Sequence, residues 1–391
     1  MEIIPKIEKI AKIVTFVHLP LMFSYKLFSL YFPLYLLGKN FSLAQVGYTN
    51  FLIYLPIALF APVAGFLNHR INPAILASLG VLGYGIYSLG MIFFPSMFVF
   101  YLLQIMLGIS AALFFVSSRA IMMGSKLKNP DKAFAFFYSV PSYADAIAPA
   151  VGAFLIWKFD FVGVFALSVV FQIATAIFCY LSLRNQTKKL TEDIKVEESK
   201  QNYLEVLKTM KTKGAMPLIF TSFLVLIVGG FNNTFFVLFL KSISWSQNQI
   251  LVFSSVLSLV FLPASWAIVK MIKKNSANNI SWGSQIVGAF SFLLGALSSF
   301  LNFYLVFIIM LGKNIGGLIT GSGRSGLMTT KLKKYPEESA AVDTIFSPLS
   351  TALGALIGGL IIIPLGYPLI FIGSGILIFL SGLWAKKKSS F

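Results

Sequence analysis

SSRAIMMGSKLKNPDKAFAF (117–136) and GSGRSGLMTTKLKKYPEESAAV (321–342) are two versions of one pattern. Each runs from an apolar stretch through one arginine to Lys-Leu-Lys, and then to a proline that opens another apolar stretch. Arg119 falls on Arg324, and Lys126–Lys128 fall on Lys331–Lys333; after a one-residue insertion Pro130 falls on Pro336. Gly152 then matches Gly358, FSLAQV (41–46) matches WSQNQI (245–250), and Arg70 matches Lys274. All of these offsets lie between 204 and 206 residues. A chance likeness would not keep one spacing over so many positions, so the chain reads as two related halves.

What is repeated is membrane-spanning. Of 391 residues, 57% are hydrophobic and 11% charged, with a mean hydropathy of +0.84. A soluble domain carries roughly a quarter charged residues. The apolar stretches suffice for a hydrocarbon core of about 30 Å. Lipid leaves backbone polar groups unsatisfied, and the stretches lack the alternation of barrel strands, so they must be helices. Breaks in the pattern predict about twelve spans: 13–37, 43–67, 73–94, 97–124, 134–156, 161–183, 216–240, 249–271, 279–300, 303–330, 340–363 and 366–385. The expected fold is an all-α polytopic membrane protein with two pseudo-symmetric six-helix bundles, 1–183 and 216–391. They are joined by a polar linker, 184–215. Tyr203, Leu204, Leu207 and Met210 share helical spacing in the linker, which predicts a helix lying on the membrane surface. The first span is too long for a cleaved signal, and no small-residue cleavage site follows it.

The formal net charge of +18 is placed for topology. Lys6, Lys9, Lys12, Arg70, Lys126, Lys128, Lys132, the lysines of 184–213, Lys270, Lys273, Lys274, Lys331, Lys333, Lys334 and Lys386–Lys388 fall on one side of the predicted membrane; only Lys39, Lys158 and Lys241 fall on the other. The positive-inside rule puts both termini in the cytoplasm, in a multi-pass protein of the cell membrane. The charge suits anionic headgroups on the inner face rather than nucleic acid. Cys179 is the single cysteine, which excludes an internal disulfide and a cysteine-rich metal site. No cofactor is expected.

Two six-span repeats with a cytoplasmic linker are a transporter architecture, with the substrate site near the midplane between halves. The chain resembles the major facilitator superfamily along essentially its whole length. FPLYLLGKNFSLAQVG (32–47) is similar to the family's passage into its second helix, and PVAGFLNHR (62–70) to the end of that helix and its loop. APAVGA (148–153) resembles the Gly-Pro-x-x-Gly-Gly of helix 5 in the antiporter branches, with Pro149 and Gly152 kept and Ala148 and Ala153 departing. QIMLG (104–108) has Gln104 where helix 4 often carries an arginine. The resemblance implies that helices 1, 4, 7 and 10 line the cavity; a monomer is expected.

Ionisable groups in a span are costly and usually face a cavity or a partner. The spans contain Lys26, Arg119, Asp145, Lys313 and Arg324, with His18 less central. Lys26 lies near the middle of span 1, where a stem of about 6 Å cannot snorkel across some 15 Å to either surface. Tyr25 and Ser29 share its broad face. Lys313 and Arg324, eleven residues apart, share one helix face about 16 Å apart. Lys26, Lys313, Asn232, Asn233, Gln104 and Tyr25 are therefore the candidate substrate ligands. Asp145, the single carboxylate deep in a span, is the candidate for proton coupling; a fixed ion pair with Lys26 is the competing reading. Arg119 and Arg324, at equivalent positions near the cytoplasmic ends, suit a symmetric inner gate or plain topology signalling.

The loop GFLNHRINP (65–73) is similar to the family's Gly-x-Leu-x-Asp-Arg-x-Gly. Gly65, Leu67 and Arg70 keep the pattern, while His69 replaces the acid, and acids appear instead at Glu337, Glu338 and Asp343. A reversed latch follows, with His69 or Arg70 donating to Asp343 or Glu338, and pH-sensitive near neutrality.

The cations point to an anionic or zwitterionic small organic solute, and the resemblance of the helix 5 motif to an antiporter, a group that includes exporters. The reading is a proton-coupled secondary transporter. A multidrug/proton antiporter, an uncoupled facilitator or anion exchanger, and a sensor without transport remain open alternatives. No nucleophile–base pair, paired intramembrane aspartates or Gly-Lys-Ser/Thr loop argues for an enzyme or for direct ATP coupling.

Overall fold

The computed structural model describes residues 7–29, 31–41, 43–93, 96–194, 203–212 and 215–389, and every regular element among them is helical. In chain order these are α1 (Lys9–Ser29), α2 (Phe32–Gly38), α3 (Leu43–Arg70), α4 (Pro73–Ile92), α5 (Met97–Gly124), α6 (Pro130–Ile194) and α7 (Tyr203–Thr212). There follow α8 (Met216–Ser242), α9 (Gln247–Met271), α10 (Ser276–Ala296), α11 (Phe303–Lys331) and α12 (Pro336–Ser389), with a 3-10 turn at Ser298–Phe300. Eight of the described helices are long and apolar enough to cross a bilayer, or nine if Met216–Asn232 and Phe235–Ser242 are joined as one bent span.

Where the helices depart from the predicted spans, local chemistry explains it. The stretch 13–37 is two helices, not one. Residue 33, the second of α2, is a proline and has no N–H to donate to the carbonyl of Ser29, so the helix ladder is broken there. The predicted break at Asn72–Pro73 is a cap: the Asn72 side chain accepts from the Ala74 N–H at 2.8 Å, and Pro73 fills the first helical position. Beyond residue 183, α6 runs on to Ile194, well into the predicted linker, since neither glycine nor proline interrupts this stretch.

Two long helices each contain a reversal. Within α6, Asp145 pairs with Lys26 while Ser168 donates to the carbonyl of Ser24 at 2.9 Å. A continuous helix would separate residues 145 and 168 by about 35 Å. The chain therefore doubles back between them, at Asp160 (φ 57°). In α12 a Cβ at Gly354 would meet the Phe231 backbone, yet the Phe371 ring lies 5.6 Å from the Phe231 ring; the reversal is at Gly366 (φ 69°). Among the described residues, φ is positive at Asn40, Asp160, Ser244 and Gly366. Asn40 and Ser244 are 204 positions apart, and Asp160 and Gly366 are 206 apart, so the repeat extends to its backbone turns.

Packing follows the same symmetry: α1 packs against both parts of α6, and α8 against α12. Between helices in lipid there is little hydrophobic drive, so small residues that let backbones approach closely matter more. At Gly288 a Cβ would lie 2.7 Å from the Gly375 carbonyl oxygen, so α10 and α12 can meet at this distance only with hydrogen there. The halves meet through α3 and α5 on α12, and through α6 on α9 and α11.

Candidate functional site

A cavity of about 640 Å³ lies between the halves, lined from α1, α5, α6 and α8–α12. On one wall Lys26 Nζ sits 2.9 Å from Asp145 Oδ1 and 3.1 Å from Oδ2. Their side chains are 24% and 33% exposed, so water in the cavity reaches the pair. Backbones are close behind it: a Cβ at Gly152 would collide with the carbonyl of Leu27, and Tyr31 donates to the Pro149 carbonyl at 3.0 Å. Pro149 and Gly152 thus set α6 against the end of α1 at Leu27 and against Tyr31 just beyond it.

The facing wall is α11. Lys313 is buried at 5% exposure, its Nζ has no hydrogen-bond partner, and it stands 5.3 Å from the centroid of the Phe371 ring. Asn314, Gly317, Thr320, Gly321 and Arg324 continue this face of α11 towards the linker end. Asn232 of α8 also lines the cavity, as does His18, whose ring stacks on Phe137 at 4.4 Å. The side chain of Asn233 lies outside the described residues.

The floor is a buried network around Asp343, whose side chain has no exposure. Arg324 Nε approaches Oδ1 at 2.6 Å; Ser325 and Tyr138 hydroxyls donate to Oδ2 at 2.6 and 2.9 Å. Arg119 Nε lies 3.6 Å from Oδ2, and its Nη1 donates to Thr344 Oγ1 at 2.7 Å. This corrects the latch expected for Asp343: its partners are the two arginines of the repeat, not His69 or Arg70. The sequence does not point to Tyr138 or Ser325 as members, because spacing along one helix gives no sign of which side chains converge from other helices.

Nearer the linker, His69 Nε2 is 3.1 Å from Glu338 Oε1, and its Nδ1 is 4.0 Å from Glu337 Oε2. Burial pushes the Glu337 carboxyl above the usual range, against the opposing pull of His69. Arg70 takes no part in the latch; its guanidinium lies over the Phe66 ring at 4.4 Å. Gly65 makes room here, since a Cβ would lie 2.6 Å from the Tyr203 hydroxyl of α7 and 3.0 Å from Ala341 Cβ. A second contact, unforeseen in the sequence, is its repeat counterpart: Ser276 donates to Asp131 Oδ1 at 2.7 Å, and Asp131 precedes Glu337 by 206 positions.

Two candidates lie away from the cavity. Gln104 is fully buried and donates to the Tyr87 hydroxyl at 3.0 Å, a helix-to-helix contact. Tyr25 packs its ring on Phe28 and Tyr84, with centroids 5.4 and 6.0 Å away. Neither is among the cavity-lining residues.

In the cavity Lys26 and Asp145 cancel, and Asp343 offsets one of the two arginines. Lys313 and the second arginine leave the site with a formal charge of plus two. Such a site attracts an anion, and a low-dielectric wall strengthens that attraction.

The fold has close likenesses. The human organic anion transporter MFSD10 (TETRAN) superposes with a TM-score of 0.77 at 13% identity, covering 96% of this chain and 98% of that one. A bacterial homologue of the iron transporter ferroportin, in an outward-facing state, gives 0.76 at 14% identity over 98% and 100%. The proton:xylose symporter XylE, bound to 6-bromo-6-deoxy-D-glucose, gives 0.73 at 13% over 97% and 95%. At these identities the likeness is one of fold. Among curated proteins no sequence matches. The profile of the Major Facilitator Superfamily matches residues 14–346, and to that superfamily the chain belongs.

Proposed function

We propose that this protein is a secondary transporter of a small organic anion, moving it across the cell membrane by alternating access, with Asp145 as the proton-coupling group. The observation that carries the reading is Lys313, a buried ammonium without a hydrogen-bond partner on the wall of a cavity with excess positive charge. An unpaired charge in this position is costly, and a substrate carboxylate, sulfonate or phosphate would relieve that cost. Lys26 and Asn232 supply further polar contacts, and the aromatic and apolar lining accepts an organic body. The positive cavity disfavours a cation-exporting multidrug antiporter. That a transporter of like fold carries organic anions is consistent with the reading.

The halves 1–183 and 216–391 act as the rocking units about the linker, which faces the cytoplasm together with both termini. Contacts across the halves at the linker end (Asp343 with its arginines, His69 with Glu338, Asp131 with Ser276) keep that side shut. The conformation is then outward-facing. Substrate entering the cavity neutralises Lys313, and opening inward requires all three contacts to part. Sequestering substrate from one side while exposing it to the other is what makes transport vectorial.

Flux into proteoliposomes tests the proposal. A panel of organic anions should give saturable movement that a pH gradient drives and whose apparent affinity Lys313→Met lowers at least tenfold. Saturable movement of organic cations alone would overturn it. Anion movement indifferent to the pH gradient would retain the substrate class and replace coupling by facilitated exchange.

A further inference from the structure

The latch residues hold a donor set that charge pairing alone does not use. His69 Nδ1 or Nε2, one oxygen of Glu337 and one of Glu338 all lie within 4.8 Å of one another. Their side chains are 12%, 8% and 2% exposed. Both ring nitrogens of His69 are shut off from solvent, and neither makes a hydrogen bond of good geometry, although Nε2 comes within 3.1 Å of Glu338. Two adjacent carboxylates thus face a single imidazole, while Arg70, the next residue in sequence, turns its guanidinium onto Phe66.

We propose that His69, Glu337 and Glu338 form a site for a first-row divalent transition metal at the closed linker end. One imidazole nitrogen and two carboxylate oxygens suit Zn²⁺, Co²⁺ or Mn²⁺, whereas Mg²⁺ and Ca²⁺ favour oxygen-only sets. Two carboxylates neutralise the ion, and a water completes four-coordination. The donors come from both halves, His69 from the last turn of α3 and the glutamates from the first turn of α12. An ion held there ties the halves together. It binds the closed linker end and not the open one, so by mass action it shifts the balance towards the closed state, about a hundredfold at a hundred times its dissociation constant. The site is independent of the substrate, and its test needs no transport.

The full-length protein, freed of any oligohistidine tag, is titrated calorimetrically with Zn²⁺ alone and by absorbance with Co²⁺ alone. The expected results are one Zn²⁺ bound per chain in the micromolar range and a visible Co²⁺ ligand-field band in the unaltered protein. His69→Ala and Glu338→Gln should each weaken Zn²⁺ binding at least tenfold and lose the rise in thermal midpoint that Zn²⁺ gives the unaltered protein. Glu338→Gln keeps the side-chain shape, and the Co²⁺ spectrum needs no variant, so misfolding cannot mimic the result. Binding only in the millimolar range, or binding of equal strength in His69→Ala, overturns the proposal.

Discussion

Arg119 and Arg324, twins 205 positions apart in the repeat, converge on the single carboxylate of Asp343, at 3.6 and 2.6 Å. A pseudo-twofold repeat supplies a cation from each half, and one acid from the second half answers both. The network joins the halves and carries a surplus positive charge at the floor of the cavity.

Removing that acid should therefore do more than remove a contact. Asp343→Asn leaves two buried guanidiniums facing each other, a change worth roughly 3–5 kcal/mol where one partner of a buried ion pair is lost. A lower thermal midpoint is expected, together with greater accessibility of cysteines placed at the linker end. An unchanged midpoint and unchanged accessibility would show that the network does not hold the halves closed.

Lys313→Met should act oppositely on stability and function. The variant replaces a buried ammonium without a hydrogen-bond partner by an apolar chain of similar length. The thermal midpoint should stay or rise, while the apparent affinity for organic anions falls tenfold or more. Flux at graded substrate concentrations separates this loss of binding from a loss of folding.

Lys26 and Asp145 are each about a quarter to a third exposed, so screening by water makes their pair a weak structural clamp. Asp145→Asn is expected to keep substrate exchange in the absence of a proton gradient and to lose gradient-driven accumulation. Full accumulation in that variant would remove Asp145 from coupling.

Equivalent glycines should not respond equally. At Gly152 an added Cβ meets the backbone of Leu27, which cannot move aside; at Gly358 it meets the rings of Phe231 and Phe235, which can turn. Gly152→Ala should lose about 1–3 kcal/mol, and Gly358→Ala clearly less, in thermal midpoints measured side by side.

The pair of His69 and Glu338 is ionic only while the imidazole is protonated. Glu338, by its contact with the ring, and the charges of Glu337 and Glu338 raise the His69 imidazole above the ordinary histidine value near 6.5, so closure of the linker end should be at full strength below that value and weaken as the pH rises through the raised one. Cysteine accessibility at the linker end, followed against pH, should lose this dependence in His69→Ala.

Apolar run lengths, the positions of lysine and the 204–206-residue offsets determined by themselves that the chain is a helical membrane protein of two related halves. These are properties of short windows: a helix must hide its backbone from lipid, and a cation must avoid the hydrocarbon, whatever lies next to it. The ionisable residues within the spans could be named for the same reason. Which of them pair is another matter, because partners come from different helices, some neighbouring in sequence and some more than a hundred residues apart. Tertiary structure alone decided that Lys26 meets Asp145 while Lys313 stays without a hydrogen-bond partner, that Gln104 serves Tyr87 away from the cavity, and that Asp343 belongs to two arginines rather than to His69. Electrostatic energy depends on distances of a few ångströms across helix interfaces, and sequence spacing does not encode these.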